Sequence, residues 1–130
     1  MQNEMMQLIC QPLHENRAAI FFVCVLMAMD IITGVSNAAV HNELDSTKMR
    51  DGLSRKLGSL YAIVAASVID SMLGSGLTLS VVDAPILTAA CLYLSAMEIL
   101  SLVENIKKLN PELVNLPGLK QIAERLKEKE

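Results

Sequence analysis

Tryptophan is absent from this 130-residue chain, and aromatic residues make up only 3% of it. A water-soluble core of that size normally draws on Phe, Tyr and Trp, because each buries a large area. Charge is also sparse, at 19% Asp, Glu, Lys and Arg with a formal net charge of −3. No basic face is visible, which argues against nucleic acid as a partner. Cysteine is limited to Cys10, Cys24 and Cys91. Three is an odd number, and the spacings fit no metal or redox motif, so all three read as reduced and structural. His14 and His41 lie in separate polar segments, outside any HExxH or Cys/His cluster. Gly74 and Gly76 do not form a phosphate loop, since no Gly-Lys-Ser or Gly-Lys-Thr follows. No enzymatic constellation, metal site or cofactor site is expected. The missing Trp has one opposing implication, because Trp often marks a membrane interface.

What the chain does have is aliphatic mass. Hydrophobic residues make up 52%, and the mean hydropathy is +0.41. Three apolar runs carry most of it: Ala18 to Val40, Leu57 to Val82 and Pro85 to Val103. Each contains one charge, namely Asp30, Asp70 and Glu98. A hydrocarbon core of about 30 Å needs about 20 helical residues. Shorter apolar pieces between carboxylates also occur in buried soluble helices, but three such runs in succession favour a membrane. The first run reads as a span and not as a cleaved signal peptide, because Glu4, Glu15 and Arg17 precede it in place of a positive leader and Asp30 interrupts it. The reading is all-α: an integral membrane protein with three transmembrane helices and a short C-terminal amphipathic helix. Residues 1–17 are a polar N-terminal tail. Residues 18–106 form the transmembrane domain, with spans at about 18–40, 57–82 and 85–106. Residues 107–130 are a charged cytoplasmic tail. There, Pro117 suits a first helical turn, and Leu119, Ile122, Ala123 and Leu126 recur at helical spacing.

Basic residues give an orientation. Only Arg17 precedes the first span. Lys48, Arg50, Arg55 and Lys56 lie in the first connection, none lies near Val82 and Asp83, and the other six follow the third span. Positive residues stay cytoplasmic. The N-terminus is then outside, the C-terminus inside, and ten of the eleven basic residues inside.

A charged side chain at the bilayer centre costs about 2.5–3.5 kcal/mol on insertion scales, so it turns away from lipid. Small residues accompany these acids. Steps of four through the second span give Gly58, Ala62, Ala66, Asp70 and Gly74, with Ser67, Ser71 and Ser75 beside them. The first span repeats the pattern as Asp30, Gly34 and Ala38. The third has Cys91, Ser95, Glu98, Ser101 and Asn105 along one face. Small residues let helices approach closely in lipid. The expected intramembrane polar and oligomerisation face is Asp30, Gly34, Ala62, Ala66, Asp70, Gly74, Ser95, Glu98 and Ser101. It either closes a static bundle or meets other copies and lines a pore.

Several ordered pieces then stand out. They are Asp30-Ile31-Ile32-Thr33-Gly34, the basic stretch Asp51-Gly52-Leu53-Ser54-Arg55-Lys56, the mid-span Asp70, and Glu98-Ile99-Leu100-Ser101-Leu102-Val103-Glu104-Asn105. A charged helix after Pro117 follows them. Together they resemble the phage holin family that includes the clostridial toxin-secretion holins. The resemblance covers roughly residues 18–130, and its motif positions here are Asp30, Thr33, Gly34, Gly52, Lys56, Asp70, Glu98, Ser101, Glu104 and Asn105. Met97 stands where family members often have Asn, and residues 1–17 match no part of the pattern. The resemblance implies a homo-oligomer of the cytoplasmic (inner) membrane. It would assemble into lesions that release an endolysin or a large toxin, without stably binding that cargo. Two other classes fit the residues alone: a small transporter or ion-channel subunit using the carboxylates as a relay, and a soluble helical bundle for interaction.

Overall fold

The computed structural model describes residues 2–75, 85–115 and 117–127, all within or between helices. Helix α1 spans Gln2–Glu15, α2 Arg17–Val40, α3 Ser46–Gly74 and α4 Ile86–Leu109. A 3-10 turn at Pro111–Asn115 leads to α5, Pro117–Lys127. Helices α2, α3 and α4 are each long and apolar enough to cross a membrane. At 1.5 Å per residue, the 24 residues of α2 and of α4 reach about 36 Å.

Local chemistry explains the boundaries. Asn42 sits at a positive φ of 55° after α2. The Glu43 amide donates to the Ala38 carbonyl at 2.8 Å, and the Asn42 amide to Ala39 at 3.2 Å. This is the paired Schellman closure of a helix C-terminus, with Asn in the left-handed position. Three residues later the Asp45 carboxylate accepts from the Thr47 amide at 2.7 Å and opens α3. Asn16 separates α1 from α2. Its Nδ2 donates to the Pro12 carbonyl at 3.0 Å, and its Oδ1 accepts from the Thr88 hydroxyl at 2.7 Å.

Residues 2–15, expected within a polar tail, thus form a helix, which packs on α3 and sends Leu13 against the core. The basic stretch of the first connection is helical from Ser46. The part of the second span at 76–82, with Gly76, Val82 and Asp83, lies outside the described residues. So do the side chains of Leu119, Ile122, Ala123 and Leu126 in α5.

Packing is inverted relative to a soluble protein. The buried set mixes Val23, Met27, Ile63, Leu87 and Cys91 with Asp30, Ser67, Ser71 and Glu98. Outside lie Phe21, Phe22, Ile32, Tyr61, Val64, Leu92 and Tyr93, all more than half exposed. Only 17–22% of each apolar stretch is buried within the molecule. Water would penalise such a surface at about 25 cal/mol per Å² of apolar area. Hydrocarbon does not, so acids inside and aliphatics outside is the arrangement a bilayer selects.

Candidate functional site: a polar seam between three helices

The inward faces follow alternating steps of three and four. On α2 they are Asn16, Ile20, Val23, Met27, Asp30 and Gly34. On α4 they are Leu87, Cys91, Leu94, Glu98 and Asn105. On α3 the spacing of seven aligns Lys56, Ile63 and Asp70. This near-3.5 repeat keeps one stripe of each helix turned toward its neighbours. Helices α2 and α4 run parallel, joined by Asn16–Thr88 at one end and by Asp30–Asn105 further along. Helix α3 runs antiparallel between the two polar levels.

The level formed by Asp30, Lys56 and Glu98, labelled inner for reference only, is an ion cluster. Lys56 Nζ pairs with Asp30 Oδ2 at 2.8 Å and also with Glu98 Oε2. The second oxygen of Asp30 accepts from Asn105 Nδ2 at 2.9 Å. Asp30 is 8% and Glu98 5% exposed. Asn105 reaches Asp30 across Gly34: a Cβ there would meet Asn105 Nδ2 at 3.5 Å, and any larger side chain would fill that space. Thr33 turns back on its own helix, donating to the Met29 and Asp30 carbonyls at 2.9 and 3.1 Å.

The outer level is built differently. Both Asp70 carboxylate oxygens accept from the first backbone amides of α4, Ile86 at 3.0 Å and Leu87 at 2.9 Å. Those amides have no intrahelical partner, and the positive end of the helix dipole favours an anion there. Asp70 therefore ties the end of α3 to the start of α4, away from the cluster around Lys56.

The model of the bacteriophage holin family matches residues 13–128, nearly the whole chain. The chain belongs to this family. Searches of the curated proteins and of the solved structures find no match. It is thus a multi-pass membrane protein of holin type.

Five of the holin's ten expected motif positions, scattered through the sequence, converge. Asp30, Gly34, Lys56, Glu98 and Asn105 meet in the inner cluster, and Ser101 lies half-buried one turn from Glu98. Gly52 has open space around it, and Glu104 is exposed. Of the expected small-residue face, Ala66 is buried, Ser95 is half-buried, and Ala62 and Gly74 are exposed. Charge alone places Lys56 in the cytoplasmic connection, yet its ammonium lies inside the bundle. The partnership of Asn16 with Thr88 has no signal in the sequence. Among the described residues, no group of three or more His, Cys, Asp or Glu is placed to hold a metal ion.

Proposed function

We propose that this holin accumulates in the cytoplasmic membrane, oligomerises there, and opens lesions that let a cell-wall hydrolase out during phage lysis or a large toxin out during secretion. The family match over residues 13–128 carries this reading. The N-terminus lies outside and the C-terminus in the cytoplasm, in keeping with the basic residues of the first connection and the six from Lys107 onward. The protein acts by assembly and has no enzymatic activity. Endolysin or toxin is cargo and not a bound partner.

Association uses the seam. In one chain Asp30, Gly34, Ala66, Asp70 and Glu98 face helices of the same molecule, Ser95 and Ser101 are half-buried, and Ala62 and Gly74 remain open to a neighbour. When copies associate, Ala62 and Gly74 permit close approach, and the acidic, serine-bearing surfaces become available to water.

The test is expression of the chain with and without a cytoplasmic endolysin. Abrupt lysis only when both are present, after a silent accumulation period, supports the reading. Ion or proton flux without passage of a protein would instead support a channel or transporter. Recovery of the chain in a detergent-free supernatant would refute membrane residence altogether.

A further inference from the structure

The inner cluster has an uneven stoichiometry. Two buried carboxylates, Asp30 on α2 and Glu98 on α4, face a single ammonium, Lys56 on α3. Lys56 is the only Lys or Arg among the described residues whose side chain is withdrawn from the surface. Asn105 adds a neutral donor to Asp30 but brings no charge. The three spans therefore meet at one cation, and among the described residues no second Lys or Arg pairs with Asp30 or Glu98.

We infer that Lys56 is the positioning residue that keeps the unassembled chain closed, and that its release from Asp30 and Glu98 is the step that exposes the seam to other copies. This rests on the proposed lesion-forming function. With Lys56 in place, each carboxylate has an opposite charge and α3 is held between α2 and α4. Without it, two like charges share a water-poor space, which is a strongly unfavourable arrangement. That repulsion favours arrangements in which the helices part and turn Asp30 and Glu98 toward water or toward another chain. The outer tie at Asp70 uses separate groups, so the α3–α4 hairpin stays joined while the inner end opens.

This stoichiometry predicts an asymmetric mutational pattern. Lys56→Met removes the shared cation and should shorten the delay before lysis by about two-fold or more, since it leaves uncompensated buried charge. Glu98→Gln leaves the Lys56–Asp30 pair balanced, and the side-chain amide it introduces still accepts a hydrogen bond, so it should shorten the delay much less than Lys56→Met does. Lys56→Arg keeps the cation and should behave likewise. The decisive variant is the triple Asp30→Asn/Lys56→Met/Glu98→Gln. It has no charge to repel, so it should restore most of the delay that Lys56→Met loses. A packing role for the lysine stem would give no such rescue.

A second measurement does not depend on lysis. Cys91 is 1% exposed and packs in the seam core with Val23 and Met27. In the full chain carrying Cys10→Ser and Cys24→Ala, reconstituted in lipid nanodiscs, maleimide labelling of Cys91 reports opening. Lys56→Met should label several-fold faster than the parent, and the triple variant near the parent rate. Equal labelling and equal lysis timing in Lys56→Met and the parent overturn the inference. So does a triple variant as fast as Lys56→Met in both assays. If the unmodified chain gives no lysis with endolysin, the lesion-forming reading falls, and the Cys91 rates alone decide whether Lys56 closes the bundle.

Discussion

Asp30 and Asp70 are the same residue type, each in an apolar span, yet they are satisfied in opposite ways. Asp30 is held by a side-chain cation and a side-chain amide from two other helices. Asp70 is held by two backbone amides that its own hairpin presents. The backbone solution is local: α3 and α4 are consecutive, and the partner atoms exist whenever α4 starts at Ile86. The side-chain solution is global, because Asp30, Lys56 and Glu98 come from three helices and exist as a cluster only when all three pack. A disturbance of packing therefore breaks the inner level first and spares the outer one.

The largest effect should follow removal of the shared cation. Breaking a buried pair by deleting one partner costs about 3–5 kcal/mol. Lys56→Met should lower the thermal midpoint in detergent more than any other single change at the seam, and restoring neutrality with Asp30→Asn and Glu98→Gln should recover much of it. Next comes Asp70→Leu, which strips two amides of their acceptor. Each unmade bond costs about 1–3 kcal/mol. Because the loss falls at the start of α4, it should appear as impaired placement of the third span, read by accessibility tags on either side of it. Asp70→Asn keeps one acceptor oxygen and should lose roughly half as much. An Asp70→Leu protein with unchanged stability and topology would mean that the α4 amides find other partners.

How far the sequence discloses this arrangement differs by helix. The spans are legible because length and hydropathy decide them, and steps of three and four at Asp30, Gly34, Glu98 and Asn105 pick out the acid-bearing faces of α2 and α4. On α3 the column of fours does not stay on one buried face. Each step of four overshoots a full turn by about 40°, so Gly58 to Gly74 sweeps nearly half the helix. Ala66 is consequently buried while Gly58, Ala62 and Gly74 are exposed. The spacing of seven through Lys56, Ile63 and Asp70 drifts far less, but Lys56 carries a charge that the orientation rule places in the cytoplasm. Helix α1 does leave a signal, since Met5, Ile9 and Leu13 recur at steps of four. The polar composition around them conceals it. The pairing of Asn16 with Thr88 joins residues 72 apart and is visible only once α2 and α4 are known to run parallel.

That last contact allows a finer comparison with the inner level, because it is a neutral hydrogen bond at the opposite end of the same helix pair. Thr88→Val keeps the shape and removes the donor, leaving Asn16 Oδ1 without it. The expected cost is about 1 kcal/mol, seen as a small fall in the thermal midpoint, with the Lys56 cluster and the lysis delay unaffected. A loss comparable to that of Lys56→Met would show that the outer end, and not the ion cluster, controls closure.

The smallest effect is expected at Gly34, where two terms nearly cancel. Ala in place of Gly favours the helix by about 1 kcal/mol. Its Cβ would lie 3.5 Å from Asn105 Nδ2, an ordinary van der Waals contact that leaves the bond to Asp30 intact. Gly34→Ala should therefore be neutral or slightly stabilising in thermal unfolding. Gly34→Leu has no such room. Its side chain displaces Asn105, removes one acceptor contact of Asp30, and should leave Asp30 held by Lys56 alone. If Ala is as damaging as Leu, α2 and α4 approach more closely at this level than the 3.5 Å clearance allows, and the glycine serves backbone contact and not access for Asn105.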